Sequence, residues 1–220
     1  MKQTSKLSLI LKLTENCNYS CDFCRYANSK DEKLVFTLEN LKKTIFMCTQ
    51  WNLKNNNKNI SFTFHGGEPL LWGKKNFKEI IEYEKELSER FNVNFKNGLQ
   101  TNGYLIDEEW INIFKEGKFD VGVSIDGQKE LNGHVGPLGK DLSLKQVLSN
   151  IKLLESHNIP YGVLAVITPN HLKKVKEFYD FFVQNQIKNI GLCYCYNPID
   201  NKNVDPKVKW SLCQGQNSDS

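Results

Sequence analysis

No apolar run in this 220-residue chain is long enough to cross a bilayer, and the basic start, which leads into a short strand-like segment, is not expected to be a secretory leader. A large excess of either charge is also lacking. Lys and Arg number 29 against 25 Asp and Glu, a net +4, with the two kinds interleaved along the chain. That balance gives no electrostatic footprint for nucleic acid or for an anionic membrane surface. Nor is there the even, distributed set of cysteines that a disulfide scaffold needs: the seven are odd in number, and three crowd between Cys17 and Cys24. Clustered thiols without a leader point to a reducing compartment, with the cytoplasm as the expected location, and to a metal. What is left is an ordinary globular composition, 40% apolar and 25% charged, in a chain long enough for one substantial core.

Periodicity predicts an alternation of strands and helices. Apolar strand-length segments fall at 7–13, 60–64, 93–99, 119–125, 161–167 and 190–195. Between them run helical stretches at about 37–51, 76–91, 107–116, 143–157 and 171–185, with Thr37 and Asp107 as N-caps. Six strands alternating with five helices imply a parallel sheet with right-handed crossovers. No dinucleotide fingerprint follows the first strand, so the α/β fold expected is a partial (βα)6 TIM-like barrel of parallel strands, not a flat doubly wound sheet. Residues 1–196 form that core, and 197–220 are a short tail without a separate domain. Glycines and polar residues gather at the C-terminal ends of the strands, where barrel folds build their sites.

The cysteine triplet lacks a fourth ligand. Cys17, Cys21 and Cys24 are spaced C-x3-C-x2-C after the first strand, and the nearest histidine in sequence is His65, at the end of strand two. Structural zinc normally takes four protein ligands, whereas a cubane cluster on three thiolates leaves one iron open to an outside ligand. Structural zinc and unliganded thiols stand beside that reading. His65-Gly66-Gly67-Glu68-Pro69 closes strand two; paired glycines let a ligand approach the backbone, and Glu68 can accept a hydrogen bond from an ammonium, although a plain turn has the same composition. Gln100-Thr101-Asn102-Gly103 and Ser124-Ile125-Asp126-Gly127 close strands three and four, where capping and turn formation are the structural alternative.

Cys17-x3-Cys21-Asp22-Phe23-Cys24 resembles the CxxxCxΦC signature of the radical S-adenosylmethionine superfamily, with Phe23 as the aromatic. Gly66-Gly67-Glu68 resembles its GGE motif. The TNG and S-x-D-G segments look like those of the branch that holds anaerobic sulfatase-maturing enzymes and SPASM-type peptide maturases. The resemblance implies a [4Fe–4S] cluster on the three cysteines, whose fourth iron is chelated by S-adenosyl-L-methionine. It also implies reductive cleavage to a 5′-deoxyadenosyl radical that abstracts hydrogen from substrate. Carried over residue by residue, Phe23, Gly66, Gly67, Glu68, Gln100, Thr101, Asn102, Ser124 and Asp126 are the cofactor contacts, with Asp126 also able to cap its turn. The implied enzyme is an oxidoreductase acting on a peptide or protein side chain, fed by an external one-electron donor such as flavodoxin or ferredoxin. A radical enzyme of small-molecule metabolism and a non-catalytic iron–sulfur or zinc module are the alternatives.

Two features usual in that branch are missing. The chain has only two arginines, Arg25 and Arg90, so the loop after Asp126 has none; Lys129, His134 and Lys140 are the candidates to replace it. That branch usually continues into a cysteine-rich auxiliary-cluster domain, and here only some 24 residues follow strand six, read as a short tail. Of the other cysteines, Cys48 is read as helix packing, Cys193 and Cys195 as one face of strand six with burial as their expected state, and Cys213 as part of a polar tail. His65 is read as scaffold, and His134, His157 and His171 as solvent-facing. By the same resemblance Ile190, Gly191 and Leu192 on strand six could flank the adenine, with core packing as the expected role.

Overall fold

A computed structural model describes residues 7–21, 24 and 33–194. The elements run β1 (Ser8–Thr14), α1 (Leu38–Lys54), β2 (Asn59–Gly66), α2 (Lys74–Phe91), β3 (Asn94–Thr101), α3 (Glu108–Glu116), β4 (Phe119–Ser124), α4 (Gly139–Ser156), β5 (Tyr161–Ile167), α5 (Pro169–Lys173), α6 (Val175–Gln184) and β6 (Ile190–Tyr194). The six strands pair in sequence order and every pair is parallel. β1 and β6 do not pair, so the sheet is an open, partial barrel. Phe23, Cys195, Cys213 and the 197–220 tail lie outside the described residues.

Alternation along the strands separates two faces. Ile60, Phe62 and Phe64 of β2 are buried, while Ser61, Thr63 and His65 between them are partly open. The same pattern puts Val121 and Val123 of β4 in the core and Gly122 and Ser124 on the other face. Helices cover the apolar face. At its centre Phe77 of α2 packs edge-on against Trp110 at 5.2 Å and Phe64 at 5.7 Å, with Phe119 at 5.9 Å. Each of five helix-to-strand turns passes through a left-handed residue: Asn56, Asn92, Lys118, Asn158 and Gln186. Three are Asn, which tolerates that conformation because its short amide bonds locally. This repeated turn returns each helix to the N-terminal edge of the sheet, so the strand-to-helix loops gather at the opposite edge.

The helix starts follow the caps expected. Thr37 Oγ1 accepts from Asn40 N at 3.2 Å and Asp107 Oδ1 from Trp110 N at 2.9 Å. Two boundaries differ. Helix α4 begins at Gly139, ahead of the expected Ser143, because Gly139 (φ +78) turns the chain into the helix and Ser143 is spent inside it, its Oγ accepting from Leu138 N at 3.2 Å. The fifth helix is two, broken at Lys174 (φ −131).

Glu84 of α2 is buried, accepting from Asn97 Nδ2 at 2.7 Å. Burial pushes its carboxyl up to about 7 against that hydrogen bond. The unfolded chain ionises it first, so stability is full below about pH 4.5 and is lost as pH rises to about 7. The loss is on the order of 3 kcal/mol. Urea titrations at pH 5 and pH 8 should show a markedly flatter pH dependence for Glu84→Gln than for wild type. Equal slopes would contradict the assignment.

Candidate active site

The loop that carries the three cysteines leaves β1 and is held from two sides. On one side the end of β2 lies against it: Gly67 N donates to Thr14 O at 2.7 Å and Glu68 N to Asn16 O at 2.8 Å. A Cβ on Gly66 would stand 2.2 Å from Thr14 O, and one on Gly67 2.3 Å from Asn16 O. The glycine pair is therefore required first by the close approach of the protein's own cysteine loop. On the other side Ser20 N donates to Val135 O at 2.8 Å, tying the loop to the segment after β4.

Glu68 sits at the junction with zero exposure. Its Oε1 accepts from Leu70 N at 3.0 Å and Thr101 Oγ1 at 2.7 Å, and its Oε2 from Asn102 N at 2.8 Å. The carboxylate thus ties the end of β2 to the end of β3 and caps the 3-10 turn Pro69–Trp72, which the sequence pattern did not suggest. Burial raises it to about 7, against the pull of those three donors. Both of its oxygens are enclosed, and they already hold three donors of the protein itself. Asn102 extends the network, its Nδ2 donating to Asn18 Oδ1 at 2.8 Å, one residue from Cys17.

Gln100 and Ser124 meet on the open face, Gln100 Nε2 donating to Ser124 Oγ at 2.9 Å. Gly122 makes the room, since a Cβ there would lie 2.2 Å from Gln100 Oε1. Beyond β4, Asp126 is 1% exposed; Oδ1 accepts from Val166 N at 2.8 Å and Oδ2 from Gly133 N at 3.3 Å. Its carboxylate is thus engaged in joining β5 to its own loop.

Two histidines read as solvent-facing are buried. His171 Nε2 donates to Asp126 O at 2.7 Å, and Nδ1 accepts from Thr168 N at 3.1 Å. Its signal was local: Thr168 is the N-cap of α5 and His171 the third residue of that helix. His134 is 7% exposed, with Nδ1 3.2 Å from Cys21 Sγ and Nε2 3.3 Å from Asp126 Oδ2. Burial pulls it down, but the Asp126 carboxylate and the Cys21 sulfur outweigh this and push it up to about 10. Among the candidates to replace the missing arginine, His134 faces Asp126, while Lys129 pairs with Asp141 at 3.9 Å on the surface. His157 remains outside, 3.1 Å from Glu108. His65 is half-buried, its Nδ1 accepting from Gly66 N at 2.7 Å.

The donor set suits a thiolate-bound cluster. Cys17, Cys21 and Cys24 are all free and half-buried. Burial pushes Cys17 up to about 11, with Glu68, Cys21 and Cys24 adding to the rise against Tyr19 N, which donates to its sulfur at 3.4 Å. A buried Cys17 thiol that resists ionisation fits a cationic cluster core, which supplies the missing positive charge and displaces the proton. Cys48 is packed in the core as expected. Cys193 is only partly buried, and Gly191 and Leu192 are exposed on the edge strand, so core packing holds there for Ile190 alone.

A family model described as the radical SAM superfamily matches residues 11–182. The chain belongs to that superfamily. Among radical SAM proteins, the cysteine-type anaerobic sulfatase-maturating enzyme of Clostridium novyi (strain NT) is 32% identical over 200 residues, covering 88% of this chain and 52% of the relative. The serine-type enzyme of Bacteroides thetaiotaomicron is 31% identical over 173 residues, covering 76% and 40%. The solved structure of native anSMEcpe with bound AdoMet and Cp18Cys peptide superposes with a TM-score of 0.77 at 30% identity, over 92% of this chain and 55% of that one. Streptococcus suis SuiB bound to S-adenosylmethionine shares the fold, with a TM-score of 0.64 at 19% identity over 96% and 47%. This radical SAM chain spans about half the length of the relatives it matches. Its partial barrel is the one these structures share. No helix among the described residues is long and apolar enough to cross a membrane.

Proposed function

We propose that this chain binds a [4Fe–4S] cluster through Cys17, Cys21 and Cys24, binds S-adenosylmethionine across the adjoining strand ends, and acts on a peptide or protein side chain. The observation that carries the reading is the double clamp on the cysteine loop. The ends of β2 and β3 and the loop after β4 all brace it at one edge of an open parallel sheet. When bound, the two cofactors supply one-electron cleavage of the sulfonium and hence hydrogen abstraction from substrate. The chain's own residues hold and shield them. Gly66 and Gly67 keep the cysteine loop against β2, while Glu68 and Asp126 fix the strand ends. Thr101 and Asn102 brace Glu68 and the loop, and Gln100 and Ser124 offer polar groups on the open face to the ribose or the methionine carboxylate. The peptide substrate is supported by the sulfatase-maturating relatives and by the Cp18Cys peptide named for the anSMEcpe structure. A flavodoxin or ferredoxin in a reducing cytoplasm would supply the electron.

Anaerobic reconstitution tests the reading. About four irons per chain are expected, the content of one cubane, with 5′-deoxyadenosine released on reduction in the presence of S-adenosylmethionine. Cluster without 5′-deoxyadenosine would favour a non-catalytic module, and zinc in place of iron would end the proposal. Mass spectrometry of candidate peptides after turnover then separates peptide from small-molecule chemistry. Ser124→Ala and Gln100→Ala should each raise KM for S-adenosylmethionine about tenfold, the value of one good polar contact. Unchanged KM in both would remove the pair from the cofactor site.

A further inference from the structure

We propose that His134 is a positioning residue for the cluster: its Nδ1–H donates to the Cys21 sulfur and raises the cluster's reduction potential. The inference rests on the reading above, in which Cys21 is a ligand.

His134 and Cys21 are 113 residues apart in sequence, yet Nδ1 and Sγ lie 3.2 Å apart. A ligating thiolate has only lone pairs to offer, so in the loaded protein the hydrogen of that contact belongs to the ring. The ring is held from several directions. Behind it stands Asp126, with Oδ2 3.3 Å from Nε2, and Asp126 is itself anchored by Val166 N of β5 and Gly133 N. Tyr19 of the cysteine loop packs edge-on at 6.5 Å between centroids, and Ser20 N reaches Val135 O, next to His134 in the chain. Gly136 lets this segment come close, since a Cβ there would stand 2.6 Å from the Tyr19 ring. The donor is thus placed by the fold, and the chain Asp126–His134–Cys21 resembles the carboxylate–imidazole pairs that orient ligands around metals. Cys17 has a different environment, its sulfur meeting the backbone N–H of Tyr19 at 3.4 Å.

A hydrogen bond to a cluster sulfur stabilises the electron-richer, reduced form, which is one of the levers that sets iron–sulfur potentials. Removing it makes the cluster harder to reduce. The test is an EPR-monitored redox titration of the anaerobically reconstituted enzyme, comparing wild type, His134→Leu and His134→Asn. His134→Leu keeps bulk and loses the donor; His134→Asn restores an N–H near the Nδ1 position. A tenfold loss in the one-electron reduction equilibrium is expected for His134→Leu, about 59 mV more negative, with at least half of it recovered in His134→Asn. Iron content should stay at that of wild type. Equal potentials in wild type and His134→Leu at equal iron content would overturn the proposal. Should His134→Leu fail to take up iron, the wild-type enzyme with 15N-labelled histidine decides by ENDOR of the reduced cluster. A weak nitrogen coupling together with an exchangeable proton supports the hydrogen bond. No histidine coupling overturns it, as does a strong coupling that places Nδ1 on iron. If wild type itself binds no four-iron cluster, the proposed function falls first and this inference with it.

Discussion

Cys17→Ala is expected to leave a chain that folds but takes up no stable four-iron cluster. Iron should fall from about four per chain to background, and 5′-deoxyadenosine formation by at least a hundredfold. That bound is conservative, because losing a mere outer-shell partner of a metal site already costs about 10–100-fold. Cys17 lies in the loop after β1 and is no part of the apolar core, so the far-UV CD melt should move little. Its surroundings explain why no other group takes over. The loop is bonded to the ends of β2 and β3; beside Cys17, the Asn102 amide donates and cannot serve as a soft ligand, and the Glu68 carboxylate is held by Leu70 N, Thr101 and Asn102 N. Cys48→Ala provides the opposite pattern. That thiol is 8% exposed and packed on α1 within the core, so its loss should lower stability modestly and leave iron untouched. Four irons retained in Cys17→Ala would show that the ligand set is wrong.

How much of this was legible beforehand depended on the range of the interaction. Strand and helix positions were readable because each rests on a short period: the alternation Ile60, Phe62, Phe64 and the caps Thr37 and Asp107 are signals within a few residues. The cysteine spacing was readable for the same reason. What escaped were contacts made across the sheet. Glu68 looked like a ligand group by its place in GGE, yet Thr101 and Asn102, some 33 and 34 positions on, enclose it. His171 looked partnerless because Asp126 lies 45 positions earlier, and His134 because Cys21 lies 113 positions earlier; Asp126, in the same loop as His134, was the nearer signal. A local pattern records which residue types arrive at a strand end; only the register of parallel strands decides which of them face each other. The break at Lys174 has no proline or glycine to announce it, so helices α5 and α6 read as one.

Gly66→Ala carries the second large effect, and Gly73→Ala separates its causes. Both glycines have backbone angles that L side chains rarely adopt, φ +140 and φ +100. Each substitution should therefore cost about 1–3 kcal/mol of folding stability through strain alone. Their surroundings differ. A Cβ on Gly73 meets nothing within 4 Å, whereas one on Gly66 falls 2.2 Å from Thr14 O. No rotation of a side chain relieves that overlap, because the obstacle is backbone. The methyl must push apart the end of β1 and the end of β2, where Gly67 N–Thr14 O at 2.7 Å and Glu68 N–Asn16 O at 2.8 Å hold the cysteine loop in place. Cys17 follows Asn16 directly, so a displaced loop carries the first ligand away from the other two. Gly66→Ala should thus lose iron and S-adenosylmethionine cleavage at least tenfold at a temperature where it is still folded, while Gly73→Ala, equally strained, should keep both. Matching iron contents in the two variants would mean that the glycine pair is not what seats the cluster loop, and the close approach of β2 to that loop would have to be explained by folding alone.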